Sequence, residues 1–124
     1  MAAKRILVVD DEPEVRQLME HFLTERGYEV SIAENGQLAL AALDTFKPDV
    51  VLLDMHMPVM DGLETLKQLA VRSPSLPVIM VTVNDDVDTT TNLLQMGAAD
   101  YVPKPFNLDY LEQAINIQLS AARD

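Results

Sequence analysis

The chain has no cysteine and no tryptophan among its 124 residues, and it has only 4 glycines. Without cysteine, disulfides, thiolate metal sites and cysteine nucleophiles are excluded. Basic residues are scarce as well, with 9 Lys and Arg against 20 Asp and Glu and a formal net charge of −11. Because nucleic-acid affinity comes largely from Lys and Arg contacts to phosphates, this balance argues against direct nucleic-acid binding by this domain.

Long apolar runs are missing too. No stretch approaches the roughly 20 residues that a membrane-spanning helix needs, and Met1–Arg5 is not followed by an apolar core of signal-peptide length. We therefore expect a cytoplasmic protein that does not associate with membranes. A length of 124 residues with 48% hydrophobic residues suits one core and is too short for two, so residues 1–124 are predicted to form a single domain.

What the sequence does contain is a regular alternation of short apolar segments and amphipathic segments, which is typical of α/β proteins. The predicted strands are Arg5–Val9, Glu29–Ala33, Asp49–Leu53, Pro77–Thr82 and Ala99–Val102. Short connections between strands and helices predict one parallel sheet that is covered on both faces. The loops that follow the strands then lie along one edge, where ligands bind in such folds.

Glycine and small polar residues mark the ends of the predicted helices. Gly27 ends the first helix, Asn35 leads into the second, and Gly62 precedes the third. Asp86 and Asn107 are predicted to cap the fourth and fifth helices, because a short polar side chain can accept hydrogen bonds from unpaired amides of the first turn.

Acidic residues follow two of the apolar strands at the point where each strand ends. Asp10 and Asp11 come after Leu7-Val8-Val9, and Asp54 follows Val51-Leu52-Leu53. If the two strands are neighbours in a parallel sheet, the three carboxylates converge at one edge, where they repel one another unless a cation lies among them. The pattern therefore predicts a divalent metal site.

Two further polar residues follow strands at the same predicted edge. Thr82 ends the fourth strand and Lys104 follows the fifth. Taken singly, an Asp after a strand is usually a cap, a strand-ending Thr is a good β-former, and a Lys before Pro is a solvated loop residue. Together they suit phosphoryl transfer to an aspartate: Asp54 is a candidate nucleophile, Lys104 and Thr82 can hold an anionic phosphoryl group, and Mg²⁺ is the fitting ion.

These residues and the segments around them resemble the receiver domain of two-component response regulators, of the kind found in chemotaxis proteins. The resemblance covers essentially the whole chain, and its most specific segments are Met57-Pro58-Val59-Met60-Asp61-Gly62 and Lys104-Pro105-Phe106. It implies a doubly wound, flavodoxin-like sheet of five parallel strands in the order 2-1-3-4-5. In that order the first and third strands are neighbours, as the carboxylate pattern requires.

The resemblance also implies a role for each acidic residue. Asp54 matches the phosphoacceptor that takes a phosphoryl group from a histidine kinase or a phosphotransfer protein. Asp11 matches a direct Mg²⁺ ligand and Asp10 a ligand acting through water, while the backbone carbonyl of His56 takes the third protein-ligand position; Mn²⁺ is the alternative ion. The domain is then expected to be a switch that catalyses its own phosphorylation and slow dephosphorylation, rather than an enzyme acting on a separate substrate.

The remaining roles concern the response to phosphorylation. Thr82 and Lys104 match the groups that hold the phosphoryl oxygens, and Tyr101 matches an aromatic residue that turns inward on activation. The Lys104-Pro105 peptide bond matches one that is usually cis in the family. The change is expected to be read out on the face formed by the fourth helix, the fifth strand and the fifth helix. The cognate kinase, the output and a phosphorylation-dependent homodimer stay open, as does the choice between a stand-alone receiver and part of a larger regulator.

Two positions depart from the usual family pattern. The residue after the switch threonine is commonly Ala, Gly or Ser, whereas here it is Val83. Its side chain either crowds the phosphoryl group or points away, and the sequence favours neither. His56 lies two residues after the acceptor, and we interpret it as a solvent-facing loop residue. His21 is predicted to be an ordinary surface histidine.

The methionines after the acceptor strand (Met55, Met57 and Met60) admit a copper site, but we interpret them as packing residues, since Met readily fills irregular gaps. Two alternative functions do not match the sequence. A haloacid-dehalogenase-type phosphohydrolase needs Asp-x-Asp after the first strand, which neither Asp10-Asp11-Glu12 nor Asp54-Met55-His56 supplies. A small flavodoxin needs a Ser/Thr/Gly-rich first loop, whereas the acidic loop here would repel a phosphate.

Overall fold

The computed structural model describes residues 3–57, 59–83, 87–104 and 106–121, without the side chains of residues 87–90 and 121. Strands and helices alternate along the chain, as the sequence predicts. In chain order they are β1 (Arg5–Val9), α1 (Pro13–Glu25), β2 (Glu29–Ala33), α2 (Gly36–Phe46), β3 (Val50–Asp54), α3 (Gly62–Arg72), β4 (Val78–Thr82), α4 (Val87–Gln95), β5 (Asp100–Pro103) and α5 (Leu108–Ala121).

The strands form one parallel sheet in the order β2-β1-β3-β4-β5, which confirms the predicted topology. β1 and β2 have the predicted bounds, whereas β3, β4 and β5 each begin one residue later than predicted. At β4 the reason is chemical, because Pro77 has no N–H to donate to a ladder. β1 and β3 are neighbours, with Val9 opposite Leu53, so their carboxyl ends lie side by side.

Apolar side chains cover both faces of the sheet and make two core clusters. In β1, Leu7 and Val9 face the cluster that α2, α3 and α4 complete, whereas Ile6 and Val8 face the cluster completed by α1 and α5. The alternation follows from the pleat of a strand, which points successive side chains to opposite faces. Both faces are therefore buried, and the sheet edge is left for polar residues.

Side-chain caps begin three of the helices. Asn107 accepts a hydrogen bond of 2.8 Å from the amide of Asp109, which confirms its predicted role, and Asn35 accepts one of 2.8 Å from the amide of Leu38. Asp61, which was not predicted to be a cap, caps α3 through a 2.9 Å hydrogen bond from the amide of Glu64. The predicted cap Asp86 lies outside the described residues, as does Pro105 of the Lys104-Pro105 bond. None of the described helices is long and apolar enough to cross a membrane.

Candidate functional site

Two buried carboxylates meet at the carboxyl edge of the sheet. Asp10 follows β1 and is 1% exposed, while Asp54 is the last residue of β3 and is 5% exposed. Both lie against the ammonium group of Lys104, which is 2.8 Å from Oδ2 of Asp10 and 3.5 Å from Oδ1 of Asp54. The structure therefore brings these three predicted residues into one group.

The loop after β1 holds Asp10 in place. Its amide donates to the carbonyl of Ala33 at 3.1 Å, and its Oδ1 accepts a 2.9 Å hydrogen bond from the amide of Glu12. Arg16 of α1 donates to the carbonyl of Asp10 at 2.7 Å. These contacts leave Oδ2 facing Lys104, so the carboxylate is both fixed in direction and paired.

Lys104 follows β5 and brings a positive charge to the two buried carboxylates. Its amide donates to the carbonyl of Thr82 at 2.7 Å, which ties the loop after β5 to the end of β4. Burial of the side chain opposes its charge, but the hydrogen bond to Asp10 and the charges of Asp10, Asp54 and Glu12 outweigh burial and raise the pKa of the ammonium group. Lys104 is therefore positively charged at neutral pH.

The surroundings of Asp54 raise the pKa of its carboxyl group. Burial raises its pKa from 3.8 to about 6, and the neighbouring charge of Asp10 adds to the rise, while Lys104 and a hydrogen bond from the amide of His56 oppose it. The hydrogen bond from His56 is long, at 3.4 Å. One ammonium group thus does not fully offset the negative charge gathered here, and the site favours an additional cation.

Three consecutive acidic residues directly after β1 form a group of carboxylates that could hold a metal ion. Ligand atoms of Asp10, Asp11 and Glu12 all lie within 4.8 Å of one another. Carboxylate oxygens are the ligands that Mg²⁺ prefers, so the donor set fits the predicted ion. Glu12 is an addition to the predicted ligands, since it was considered only within Asp10-Asp11-Glu12 as a match to the dehalogenase motif. Its place directly after two acids was the available signal.

Thr82 and Tyr101 lie on β4 and β5, the two strands on the other side of β3 from β1. Thr82 ends β4, is fully buried, and donates a hydrogen bond from Oγ1 to the thioether sulfur of Met55 at 3.8 Å. Tyr101 is half-buried on β5, where it is paired in register with Met80. In the described part of the chain the buried hydroxyl of Tyr101 has no hydrogen-bond partner.

A glycine fixes the loop after the acceptor strand. The amide of Gly62 donates to the carbonyl of Met55 at 2.8 Å, and a Cβ at this position would lie 2.5 Å from the Cα of Met55 and closer still to the carbonyl oxygen of Asp54. Only a residue without a side chain allows this approach. Gly62, which was predicted only to precede a helix, therefore sets the backbone of the candidate acceptor.

The other loop residues behave as predicted where the structure describes them. His56 is exposed, and His21 is a surface residue 3.2 Å from Glu25. The three methionines after β3 pack against the core cluster beneath α2, α3 and α4. Val83 is 64% exposed, so most of its side chain faces solvent, and its effect on access to Asp54 stays a prediction.

Comparison with known proteins shows the family of this chain. The family profile described as the response regulator receiver domain matches residues 6–116. The chain belongs to the response regulator receiver family. Receiver domains of response regulators are phosphoacceptors, which supports a place for this chain in phosphorylation-dependent signalling.

Relatives and solved structures agree with this assignment. The chain is 46% identical over 104 residues to the DNA-binding transcriptional regulator NtrC of Salmonella typhimurium, covering 84% of this chain and 22% of NtrC. It is 43% identical over 107 residues to the response regulator MprA of Mycolicibacterium vanbaalenii, covering 86% of this chain and 46% of MprA. The CheY-like receiver domain protein of Methanospirillum hungatei superposes with a TM-score of 0.92 at 31% identity, covering 98% and 97% of the two chains. The chain thus spans less than half the length of NtrC and of MprA.

Proposed function

We propose that this receiver domain is a switch in which Asp54 accepts a phosphoryl group and the change is relayed to the surface formed by α4, β5 and α5. The observation that supports it best is the convergence of Asp54, Asp10 and Lys104. A buried carboxylate 3.5 Å from an ammonium group has a counter-charge next to the position at which a phosphoryl group would arrive. We also infer that residues 1–124 act as one domain, because the described strands form one sheet and the described helices pack on its two faces.

The proposed reaction is an in-line transfer. A carboxylate oxygen of Asp54 forms a bond to phosphorus while the bond from phosphorus to the donor nitrogen of a phosphohistidine breaks, and the imidazole leaves with the electron pair. A small acyl phosphate can replace the phosphohistidine, with its carboxylate as the leaving group. The protein groups mainly position the reactants and screen charge, as is usual in phosphoryl transfer.

Asp54 must be ionised to attack, so its surroundings matter. The charge of Lys104 favours the ionised form and supplies a cation for the phosphoryl oxygens, and the buried position limits access of water. Asp10 holds the ammonium group at 2.8 Å. In this proposal Lys104 is a catalytic residue and Asp10 positions it.

We propose that Mg²⁺, or Mn²⁺ in its place, is held by Asp11 directly, by Asp10 through water, by Asp54 and by the carbonyl of His56. When bound, the ion would neutralise charge on the phosphoryl oxygens. The clustering of carboxylates at the end of β1 supports Asp10 and Asp11 in this ligand set and adds Glu12 as a further donor. Because ligating carboxylates must be ionised, metal affinity should fall as the pH is lowered.

We propose that the hydroxyl of Thr82 turns to a phosphoryl oxygen and that Tyr101 then moves inward. Thr82 and Tyr101 lie on β4 and β5, the strands that flank α4 in the chain. The hydroxyl of Tyr101 has no hydrogen-bond partner among the described residues, so a change of its position does not require an existing bond to break. A histidine kinase or phosphotransfer protein is the proposed donor, and the downstream output stays open.

The test is covalent labelling. Incubation with acetyl phosphate and Mg²⁺ should add the mass of one phosphoryl group, which hydroxylamine should remove because an acyl phosphate is formed. Asp54→Asn should abolish labelling. Asp49→Asn is the matched control, since Asp49 lies directly before β3, at the opposite end from Asp54, and accepts a hydrogen bond from the amide of Arg5. Labelling that survives Asp54→Asn, or that proceeds equally in a chelator, would contradict the proposal.

A further inference from the structure

Met55 is in contact with the proposed switch threonine. The hydroxyl of Thr82, which is fully buried, donates to the sulfur of Met55 at 3.8 Å. A thioether is a weak acceptor, and a threonine hydroxyl has a single proton to donate. The hydroxyl therefore cannot donate to Met55 and to a phosphoryl oxygen at the same time.

The backbone of Met55 is held in place while its side chain has room to move. The amide of Gly62 donates to the carbonyl of Met55 at 2.8 Å, with no Cβ to hold the two backbones apart. Any adjustment must then come from the side chain, which has three rotatable bonds.

That side chain borders a cavity between the loop after β3 and α4. The cavity has a volume of about 340 Å³, and its lining residues are Met55, Leu63, Asn92, Leu93, Gln95 and Met96. Four of these residues belong to α4 or to the turn directly after it. Met55 is thus in contact with Thr82 on β4 and lies beside α4.

We propose that Met55 is a positioning residue: it holds the Thr82 hydroxyl in the unphosphorylated protein and moves into the cavity beside α4 when that hydroxyl turns to the phosphoryl group. The inference rests on the proposed function, in which Thr82 contacts phosphoryl oxygens. Charged oxygens are much stronger acceptors than a thioether, so the Thr82 hydroxyl should donate to the phosphoryl group in preference to Met55. The sulfur of Met55 nevertheless stabilises the resting arrangement and so opposes activation.

The test is a double-mutant cycle on binding of fluoroberyllate, a mimic of the phosphoryl group of an aspartyl phosphate, in the presence of Mg²⁺. Met55→Leu keeps the approximate volume and removes the acceptor, so it should tighten binding about two- to fivefold, the size expected for one neutral hydrogen bond. In a Thr82→Val background the same substitution should have no effect. Met60→Leu, in the same loop but packed beside Gly36, should leave the affinity unchanged.

A second readout follows the wild-type protein directly. With methyl-labelled methionine, the Met55 methyl resonance should shift on addition of fluoroberyllate, and this shift should be lost in Thr82→Val and restored in Thr82→Ser. Equal affinities for Met55→Leu and wild type, an effect that persists without the hydroxyl, or an unmoved Met55 resonance would each overturn the role of Met55 alone. Failure of the wild type to bind fluoroberyllate, or equal binding by Asp54→Asn, would overturn the proposed function and this inference together.

Discussion

The ammonium group of Lys104 donates a 2.8 Å hydrogen bond to the carboxylate of Asp10, and both side chains are almost buried, at 11% and 2% exposure. The same ammonium group lies 3.5 Å from Asp54. A buried ion pair contributes little net stability against an apolar replacement of both partners, but removal of one partner leaves an uncompensated charge and is costly. Lys104 therefore links the chemistry of the site to the stability of the fold.

The first prediction concerns the loss of that cation. Lys104→Gln should lower the free energy of unfolding by about 3 kcal/mol at pH 7 in a chelator, because Asp10 and Asp54 then lack their counter-charge. Urea denaturation measures the change. Lys67→Gln, an exposed position on α3, should change the value by less than about 0.5 kcal/mol. Equal effects of the two substitutions would show that the buried pair does not matter.

The second prediction is a pH dependence that Asp54 imposes on the metal-free protein. Burial and Asp10 raise the pKa of Asp54 to about 6 from 3.8, so the folded state holds this proton more tightly than the unfolded state. The contribution of Asp54 is then unfavourable once it ionises, and stability falls as the pH rises from about 4 through about 6. This is the reverse of the behaviour of a salt-bridged carboxylate with a lowered pKa.

Asp54→Asn should remove this dependence. In a chelator the variant should be more stable than wild type by up to about 3 kcal/mol at pH 7.5, since one pKa unit corresponds to about 1.4 kcal/mol. At pH 4 the difference should be much smaller. Unfolding of both proteins at the two pH values tests it, and the comparison cancels titrations that the proteins share. A difference that is the same at both pH values would contradict the raised pKa.

Much of the architecture could be predicted because its signals are local. Runs such as Val50–Leu53 are apolar throughout, as a strand buried on both faces requires, and turn residues such as Asn107 mark where a helix begins. The grouping of polar residues at the carboxyl edge of the sheet also follows from the topology, since every parallel strand ends on the same side. Asp10, Asp54 and Lys104 could therefore be predicted to meet without knowledge of any distance.

What could not be predicted depends on close approaches across the fold. Gly62 approaches Met55 because the loop turns back on its own strand, and the direction of the Thr82 hydroxyl depends on which side chain lies next to it. Neither has a local sequence signal. Glu12 was not predicted as a donor because an acid directly before a helix already has a sufficient explanation in the helix dipole. Such contacts form only in the folded chain.

The third prediction concerns Val83. If its side chain narrows the approach to Asp54, Val83→Ala should speed both labelling by acetyl phosphate and spontaneous loss of the phosphoryl group. An acceleration of about tenfold would correspond to only ~1.4 kcal/mol of barrier. Single-turnover labelling and decay of the labelled protein measure the two rates. Because Val83 is 64% exposed, unchanged rates would mean that the side chain extends into solvent and leaves the pocket open.

The fourth prediction concerns strain in the loop after β3. Val59 has a φ of 73° and is 76% exposed, and a β-branched residue is disfavoured in this left-handed region. Val59→Gly should raise the free energy of unfolding by about 0.5–1 kcal/mol, the relief of strain exceeding the entropy cost of glycine. Val71→Gly is the control, because Val71 is an exposed residue of α3. There, glycine should lower stability by about 0.5 kcal/mol, and a loss of that size at residue 59 would exclude strain.

The fifth prediction concerns the relay to α4, β5 and α5. With nine residues, α4 is the shortest of the described helices. Its sequence includes Thr89-Thr90-Thr91, and each β-branched residue costs roughly 0.5–0.7 kcal/mol relative to Ala in a helix. The helix should therefore be among the least stable elements of the fold. Amide hydrogen exchange should show Val87–Gln95 opening more readily than α1 in the unmodified protein.

Addition of fluoroberyllate with Mg²⁺ should then change exchange in α4 and around Tyr101. We expect the phosphoryl mimic to accept a hydrogen bond from the Thr82 hydroxyl. Because α4 is intrinsically weak, a small difference in free energy is then enough to shift the population between two arrangements of this helix. Thr82→Ala should still accept a phosphoryl group from acetyl phosphate, because Asp54 and Lys104 are retained, yet it should lose most of the exchange response. A full response without Thr82, or a response confined to α2 and α3, would show that the signal leaves the site by another route.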